Sequence, residues 1–319
     1  MIEKFNEWYK WIRKPNKSLS EQLFEFAVFI IPLAFVIRTF IYGLYQVPTG
    51  SMETTLLVGE RFFADKFTVL FNPIERGDII SFNDPQFPYT KPTSRNIIKR
   101  TVQRLKNFWE HYVYGPENWT KRVIAVPGDE IKGVIENGKT EVYLKKSGEK
   151  KFKKLEETYL NKYPLIPAYQ PQDSHGGLAY RSYDPLYSYS NQPYYSLTEE
   201  EVRMGEQKAL STGNPTIKEP RTPEYTLAIA DGKYRLVNVD QFGPYKMGPN
   251  QYWVMGDNRL NSSDSRVWGI LDRSLIHGKI VYRIWSLDSY SSWWIIDLIK
   301  HPVDFWKKVR WTRCMQKVS

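Results

Sequence analysis

The sequence predicts a mainly β protein, an antiparallel sheet or barrel-like domain that follows one N-terminal transmembrane helix. From residue 56 onward, short runs of β-branched and aromatic residues alternate with turn-forming Gly, Pro, Asn and Asp. One uncharged apolar run, Phe26–Ile37, precedes them. The mean hydropathy of -0.52 over 319 residues indicates that most of the chain is water-soluble rather than polytopic.

The apolar run is the candidate membrane anchor. Phe26–Ile37 alone spans about 18 Å as a helix, whereas Leu23–Leu44 spans about 33 Å, enough for a hydrocarbon core of ~30 Å. Glu25 and Arg38 lie near the ends, where long side chains reach the interface. A buried soluble helix is disfavoured because the run has almost no polar face, and a cleaved signal peptide because no small-x-small site follows. We therefore expect residues 23–45 to form an uncleaved anchor.

The charge pattern predicts the topology of this anchor. Five basic residues lie in the first 17 positions, and such flanks stay on the cytoplasmic side. We therefore expect a cytoplasmic segment at 1–22, an extracytoplasmic domain at 46–290 and a basic amphipathic tail at 291–319. The net charge of +10 indicates an anionic partner, which is nucleic acid or a lipid surface. Lipid is favoured, because the sequence has no zinc-finger spacing or aromatic-basic RNA motif.

The predicted strands follow one another with turns between them, and two segments interrupt the pattern. We interpret residues 83–118, with a short helix near 100–110, and residues 145–224 as insertions. The second has few aliphatic residues, so we expect it to be a poor core segment with partial order.

The tail from 293 to 311 suits a helix at a membrane interface or a helix packed on the domain. Strands are predicted at Arg61–Phe71, Ile79–Phe82, Trp119–Val126, the Ile131–Leu144 hairpin around Asn137-Gly138, Tyr225–Ala230, Lys233–Val239, Gln251–Met255, Val267–Ile270 and Gly278–Trp285.

Ser51 is the candidate nucleophile. It follows the predicted anchor within the stretch Val47–Met52, where Pro48 restricts one backbone angle and Gly50 permits an unusual one. The same pattern is typical of an ordinary loop, so the interpretation requires a base elsewhere in the chain. None of the four histidines lies in a segment that resembles an active-site strand, and no Gly-x-Ser-x-Gly elbow surrounds Ser51.

Lysine serves as a base when its surroundings keep it neutral. Desolvation by apolar neighbours lowers the pKa of a lysine by several units from ~10.4. Lys121 has such neighbours, because Trp119 precedes it and Val123–Val126 follows. Lys99 has similar apolar neighbours before it but a polar sequence after it, so Lys121 is favoured. The single cysteine, Cys314, excludes an internal disulfide or a cysteine-based metal cluster.

The polar run at 256–266 is the third candidate part of a site. By composition it is also typical of an ordinary loop after a hydrophobic strand. If it is buried, Ser262 is placed to hydrogen-bond the Lys121 amine and orient it. Asp264 and Arg266 would then form a charge-assisted pair that holds the loop.

Together these segments resemble the bacterial type I signal peptidases. The resemblance rests on Pro48-Thr-Gly-Ser-Met52, Lys121-Arg-Val-Ile-Ala-Val-Pro-Gly-Asp129 and Gly256-Asp-Asn-Arg-Leu-Asn-Ser-Ser-Asp-Ser-Arg-Val-Trp-Gly269, in the family's order. It covers residues 23–82, 119–144 and 250–285.

The resemblance implies a membrane-bound serine endopeptidase with a Ser/Lys dyad that removes signal peptides from exported precursor proteins at the bacterial cytoplasmic membrane. It implies a nucleophile at Ser51, a general base at Lys121, an oxyanion-stabilising hydroxyl at Thr49 and an orienting hydroxyl at Ser262. We expect no cofactor, no metal ion and no nucleic-acid partner. By position, small substrate side chains would contact Val47, Met52, Leu56 and Trp119.

The chain departs from the family pattern at three positions. Thr49 replaces a frequent Ser, Thr54 a frequent Pro, and Leu260 an Asp in the polar run. None of these removes a dyad residue. The alternatives are a catalytically inactive, membrane-anchored β domain that binds a partner, and a soluble self-cleaving repressor. The intact dyad disfavours the first, and the anchor and the lack of a DNA-binding module disfavour the second.

Overall fold

The computed structural model describes residues 17–87, 96–105 except 98 and 104, 115–170, 177–220, 225–230, 233–289 and 294–318. The first element is helical: α1 (Leu19–Glu25), a π-helical stretch (Phe26–Ile30), α2 (Ile31–Val36) and a second π-helical stretch (Ile37–Ile41). Ser18 starts it with a capping box that involves Glu21. Leu19–Val36 has a mean hydropathy of 1.7, and none of it is buried inside the protein. Its length and composition are sufficient to cross a membrane.

The predicted antiparallel sheet is confirmed. The larger sheet has, among the described residues, eight strands in the order β1, β2, β15, β3, β4, β13, β14, with β16 paired to β15. All of these pairings are antiparallel. Its strands are β1 (Tyr42–Gln46), β2 (Arg61–Asp65), β3 (Ile79–Asn83), β4 (Asn118–Ala125), β13 (Gln251–Met255), β14 (Leu271–Asp272), β15 (Ile276–Trp285) and β16 (Gln316–Lys317).

A second sheet has the order β12, β5, β6, β7. The predicted hairpin is confirmed, because Asn137 and Gly138 have φ angles of 52° and 73° and connect β5 to β6. This sheet packs through Ile131, Val142 and Phe242 against Trp253 of β13. Its strands are β5 (Glu130–Glu136), β6 (Lys139–Lys145), β7 (Lys153–Lys154) and β12 (Phe242–Lys246).

The segment 145–224 contributes more to the core than the sequence predicts. It contains the antiparallel pair β8 (Leu165–Tyr169) and β9 (Leu178–Ser182), and the helix α3 (Glu199–Ser211) packs on β8. Together with Leu57 and Val58, Ile166 and Tyr195 form a buried cluster. The prediction of a poor core segment is therefore wrong, because tyrosine rings and a few aliphatic residues fill the space that aliphatic runs usually fill. A further antiparallel pair follows, β10 (Tyr225–Ala230) with β11 (Lys233–Asn238).

Two predicted strands differ in the structure. Asp264 accepts a hydrogen bond from the Arg266 N–H and caps α4 (Ser265–Trp268), so Val267 and Trp268 are helical. The strand predicted at Arg61–Phe71 ends at Asp65, whose carboxylate accepts from the Thr68 N–H, and a 3-10 turn follows at Thr68–Leu70. In the first predicted insertion, residues 97, 99–103 and 105 are helical, and the end of the predicted 100–110 helix lies outside the described residues.

The tail forms two short helices, α5 (Trp294–Lys300) and α6 (Pro302–Lys307), where the sequence predicts one amphipathic helix. Pro302 has no N–H and is tolerated at a helix start, so it divides the segment. Phe305 and Val309 pack with Leu287 in a buried cluster, while Trp306 and Ile299 are exposed. The tail therefore packs on the domain and also presents apolar side chains to its surroundings.

Candidate active site

Ser51 lies in a 3-10 turn, Gly50–Met52, between β1 and β2. The turn is anchored from the polar loop: the Asn258 N–H donates to the Ser51 carbonyl (3.1 Å), and Asn258 Nδ2 donates to the Gly50 carbonyl (2.9 Å). Below it, Met52 and Leu56 pack with Phe62 in a buried cluster. The Ser51 side chain is therefore carried by a turn that is fixed on two sides.

Lys121 projects from β4 toward this turn, and its Nζ lies 2.9 Å from Ser51 Oγ. The amine also donates to the Thr120 carbonyl at 3.1 Å. Only 5% of Lys121 and 8% of Ser51 are exposed, and the Lys121 Nζ lies 5.9 Å from the centre of the Trp119 ring. The predicted proximity of the two side chains is thus observed, whereas Lys99 is exposed.

Burial sets the protonation behaviour of Lys121. Desolvation lowers the pKa of its amine from 10.5 to about 8, while the carboxylates of Asp264 and Asp257 act in the opposite direction. The guanidinium of Arg266 adds to the lowering. With this pKa, roughly a tenth of the amine is neutral at about pH 7, and this neutral form is the one that accepts a proton.

The loop 256–266 is buried except at Asn261 and Ser263, but Ser262 has a different partner from the one predicted. Its hydroxyl donates to Asp264 Oδ2 (2.8 Å), and a bond to Lys121 is not among its contacts with the described residues. The charged carboxylate is the stronger acceptor, so the hydroxyl bonds to it. Gly256 allows this packing, because a Cβ there would lie 2.2 Å from Ser262 Oγ and 2.5 Å from the Ser51 carbonyl oxygen.

Three buried ion pairs hold the loop. Arg266 Nε donates to Asp264 Oδ1 (2.9 Å), and a second carboxylate, that of Asp240, lies 2.5 Å from Arg266 Nη1. Arg266 holds the pKa of the Asp264 carboxyl below its usual value despite burial. Arg122, next to Lys121, makes a bidentate pair with Asp257 at 2.9 and 2.8 Å. The charges beside Lys121 therefore have fixed partners, and removal of one partner would leave a buried charge uncompensated.

Thr49 is exposed and, within the described part of the chain, its hydroxyl makes no hydrogen bond. It precedes the turn whose first N–H groups, including that of Ser51, have no acceptor within the turn. A hydroxyl and an amide donor therefore lie beside the Ser51 side chain.

Of the four predicted substrate contacts, Val47, Met52 and Leu56 are buried and Trp119 is half-buried, so Trp119 is the most accessible of them. In the described ranges, no group of three or more His, Cys, Asp and Glu side chains is arranged to hold a metal ion.

Comparison with known proteins identifies a family for the chain. A family model described as signal peptidase, peptidase S26, matches residues 20–285. The chain belongs to this family. It is 30% identical over 262 residues to signal peptidase I of Aquifex aeolicus strain VF5, a match that covers 82% of each chain. It is 29% identical over 261 residues to signal peptidase I of Buchnera aphidicola subsp. Schizaphis graminum, covering 79% of this chain and 70% of that protein.

The resemblance to bacterial signal peptidases is thereby confirmed, and the family indicates a serine peptidase. The apolar helix Leu19–Val36 lies almost entirely within the matched range and, together with the relatives, suggests that the chain is anchored in a membrane. Residues 286–319, which include the two tail helices, lie outside the range that the family model matches.

Several residues around Ser51 in this signal peptidase family member were not predicted from the sequence. Glu53, two positions after Ser51, is completely buried, and it contacts Ser182 and Tyr195 of the segment 145–224. A charged residue in the otherwise uncharged stretch 52–58 after Ser51 was a usable signal. Ser182 and Tyr195 had none, because they lie 129 and 142 positions away from Glu53 in a segment without a motif.

Proposed function

We propose that this chain is a membrane-anchored serine endopeptidase that cleaves N-terminal signal peptides from exported precursor proteins after small residues. The observation that carries the proposal is the buried 2.9 Å contact between Ser51 Oγ and Lys121 Nζ. A lysine with its pKa lowered to about 8 is a suitable base for a serine hydroxyl near neutral pH.

In the first half of the reaction, Ser51 Oγ attacks the scissile carbonyl carbon while neutral Lys121 takes the hydroxyl proton. The carbonyl oxygen becomes an oxyanion, which the Ser51 N–H and the Thr49 hydroxyl stabilise by donating hydrogen bonds. When the tetrahedral intermediate collapses, the C–N bond breaks, and the Lys121 ammonium gives its proton to the leaving amine. The mature protein departs, and the signal peptide remains as an ester on Ser51.

In the second half, neutral Lys121 takes a proton from water, whose oxygen attacks the ester carbonyl. Collapse of the second intermediate breaks the bond to Ser51 Oγ, which recovers its proton from Lys121. Asp264 and Arg266 keep the surrounding loop in place, and Ser262 bonds to this pair, so its orienting effect on Lys121 is indirect. Among Val47, Met52, Leu56 and Trp119, the partly exposed Trp119 offers the most surface to substrate side chains.

The proposed setting is the bacterial cytoplasmic membrane. The basic segment before the helix stays cytoplasmic, and Ser51 lies on the extracytoplasmic side, ten residues after the helical stretch that ends at Ile41. Lipid is consequently a second partner, beside precursor proteins.

The test is cleavage of an exported precursor by the purified full-length chain in detergent micelles, followed by product mass. Ser51→Ala is expected to abolish cleavage, and Lys121→Ala to lower kcat by about 10²–10⁴-fold. Lys99→Ala is the matched control, because Lys99 is exposed, and it should cleave at the wild-type rate. Equal cleavage by wild type and Lys121→Ala would refute the dyad, and no cleavage by wild type would support an inactive binding domain.

A further inference from the structure

Glu53 is a fully buried carboxylate, 0% exposed, two residues after Ser51. Its Oε1 accepts from the Tyr195 hydroxyl at 2.6 Å, and its Oε2 accepts from the Ser182 hydroxyl at 2.7 Å and the Ser182 N–H at 3.3 Å. These donors come from β9 and from the loop before α3, in the segment 145–224. The carboxylate therefore links this segment to the stretch that carries the nucleophile.

The carboxylate also touches the turn of Ser51 itself. A Cβ on Gly50 would lie 2.5 Å from Glu53 Oε1, so the carboxylate packs directly against the Gly50 backbone. The Glu53 N–H donates to the Gly50 carbonyl at 3.2 Å. A displacement of the Glu53 side chain would therefore be transmitted to the turn that holds Ser51.

A second set of hydrogen bonds connects Ser182 to the turn that carries Ser51. Asn161 Nδ2 donates to Ser182 Oγ (3.0 Å) and to Asn258 Oδ1 (3.4 Å). Asn258 in turn donates to the carbonyls of Gly50 and Ser51. The hydrogen bonds thus form a closed ring, from the nucleophile turn through Asn258, Asn161, Ser182 and Glu53 back to the turn.

A buried ring of polar groups lowers the stability of the fold unless every donor and acceptor in it has a hydrogen-bond partner. Burial raises the pKa of Glu53, whereas Arg181 and the donated hydrogen bonds of Tyr195 and Ser182 lower it. The Tyr195 hydroxyl also accepts from the Val58 N–H at 3.1 Å, so it also binds the backbone of the stretch that follows Ser51. A buried carboxyl group with this many hydrogen-bond partners defines one geometry, which an apolar side chain at the same place would not.

We propose that Glu53 is a positioning residue for Ser51, held by Asn161, Ser182 and Tyr195, and that the segment 145–224 supports the nucleophile turn from outside the motifs that carry the dyad. The inference rests on the proposed function, since it concerns the reactivity of the same serine. Misplacement of a reacting group by about 1 Å lowers rates by up to about 10²-fold.

Tyr195→Phe tests the proposal, because it removes the hydroxyl that bonds to Glu53 and keeps the ring. Tyr180→Phe is the matched control: Tyr180 is a buried tyrosine of the same segment, and its hydroxyl donates to the Pro215 carbonyl at 2.6 Å, away from Glu53. Both variants are measured as full-length chains for kcat, KM and thermal midpoint. We expect Tyr195→Phe to lower kcat about 5- to 50-fold at unchanged KM, and Tyr180→Phe to keep wild-type kcat.

Ser182→Ala and Glu53→Gln extend the test to the other side of the ring, and we expect both to lower kcat with little change in KM. Ser182→Ala also decides the matter if Tyr195→Phe does not fold. If Tyr195→Phe and Ser182→Ala both retain the kcat of Tyr180→Phe while Ser51→Ala is inactive, the positioning role is wrong and the proposed function stands. If Ser51→Ala still cleaves, the proposed function itself fails, so the two failures are distinguishable.

Discussion

Lys121 and Arg122 are neighbours on β4, yet their side chains have different partners and need different charge states. Lys121 Nζ lies 2.9 Å from Ser51 Oγ, while Arg122 Nη2 lies 2.8 Å from Asp257 Oδ2. Successive residues of a strand point to opposite faces, so one short segment supplies both contacts. Burial lowers the affinity of the Lys121 amine for a proton, whereas the positive Arg122 guanidinium is paired with the Asp257 carboxylate.

The rate of cleavage should rise with pH through the titration of Lys121. Only the neutral amine accepts the Ser51 proton, and burial lowers the pKa of this amine to about 8. We expect kcat/KM to increase roughly tenfold per unit below about pH 8 and to level off above it. The measurement is a kcat/KM profile from about pH 6 to pH 10 with a peptide substrate. A flat profile, or one that falls across this range, would contradict the assignment of Lys121.

Lys121→Met should stabilise the protein while it removes activity. Because burial lowers the pKa of Lys121 from 10.5 to about 8, the unfolded chain binds the proton more tightly between these values. The free energy of unfolding of the wild type therefore rises with pH across this window, and at about pH 7 the lysine costs roughly 1–3 kcal/mol. Thermal midpoints should show a gain for Lys121→Met that shrinks toward about pH 10, with Lys99→Met unchanged at both values. A loss of stability at neutral pH would count against a desolvated amine.

The Thr49 hydroxyl should matter to the transition state and little to the fold. It is exposed, and a valine of the same shape removes the hydrogen-bond donor alone. We expect Thr49→Val to lower kcat by about 10²–10³-fold with KM and thermal midpoint unchanged. Thr49→Ser keeps the donor and should retain most of the activity. Wild-type kcat in Thr49→Val would exclude this hydroxyl from the oxyanion site.

Leu260 replaces an aspartate of the family pattern, and restoring the aspartate should weaken this chain. Leu260 is buried with Leu165, Leu178 and Tyr180, all three from the segment 145–224. An aspartate there would be a buried carboxylate among apolar side chains, so Leu260→Asp should lower the free energy of unfolding by about 2–5 kcal/mol. Leu260→Met, which preserves volume, should cost less than about 1.5 kcal/mol. Urea unfolding checks both, and a stable Leu260→Asp would show that the contact is unimportant.

Local signals predicted much of the fold. The Asn137-Gly138 turn determined its hairpin, and the apolar run near the N-terminus is the observed apolar helix. At two predicted strands the prediction failed because a local contact had been overlooked: Asp264 caps α4, and Asp65 accepts from the Thr68 N–H where β2 ends. Both are short-range carboxylate–amide contacts that the sequence does contain.

The site was predictable only in part. Ser51 and Lys121 could be predicted from local sequence. A serine in a turn beside the apolar run is a candidate nucleophile, a lysine in an apolar strand is a candidate base, and the two requirements together select this pair. The partners of Glu53 are different, because Ser182 lies 129 positions away and belongs to a segment whose folding depends on tertiary packing. Neither periodicity nor composition locates such a contact.

The register of β4 against its neighbouring strands determines which side chain reaches Ser51. Lys121 pairs with Ile80 of β3, and β13 meets β4 with an irregularity between Trp253 and Val254. A slip of β4 by one position would bring Arg122 to Ser51, and a guanidinium does not act as a proton acceptor. Such a protein would keep its strands and its antiparallel order and still be inert. A correct shape is therefore not sufficient for activity, which depends on a single step in the pairing of one strand.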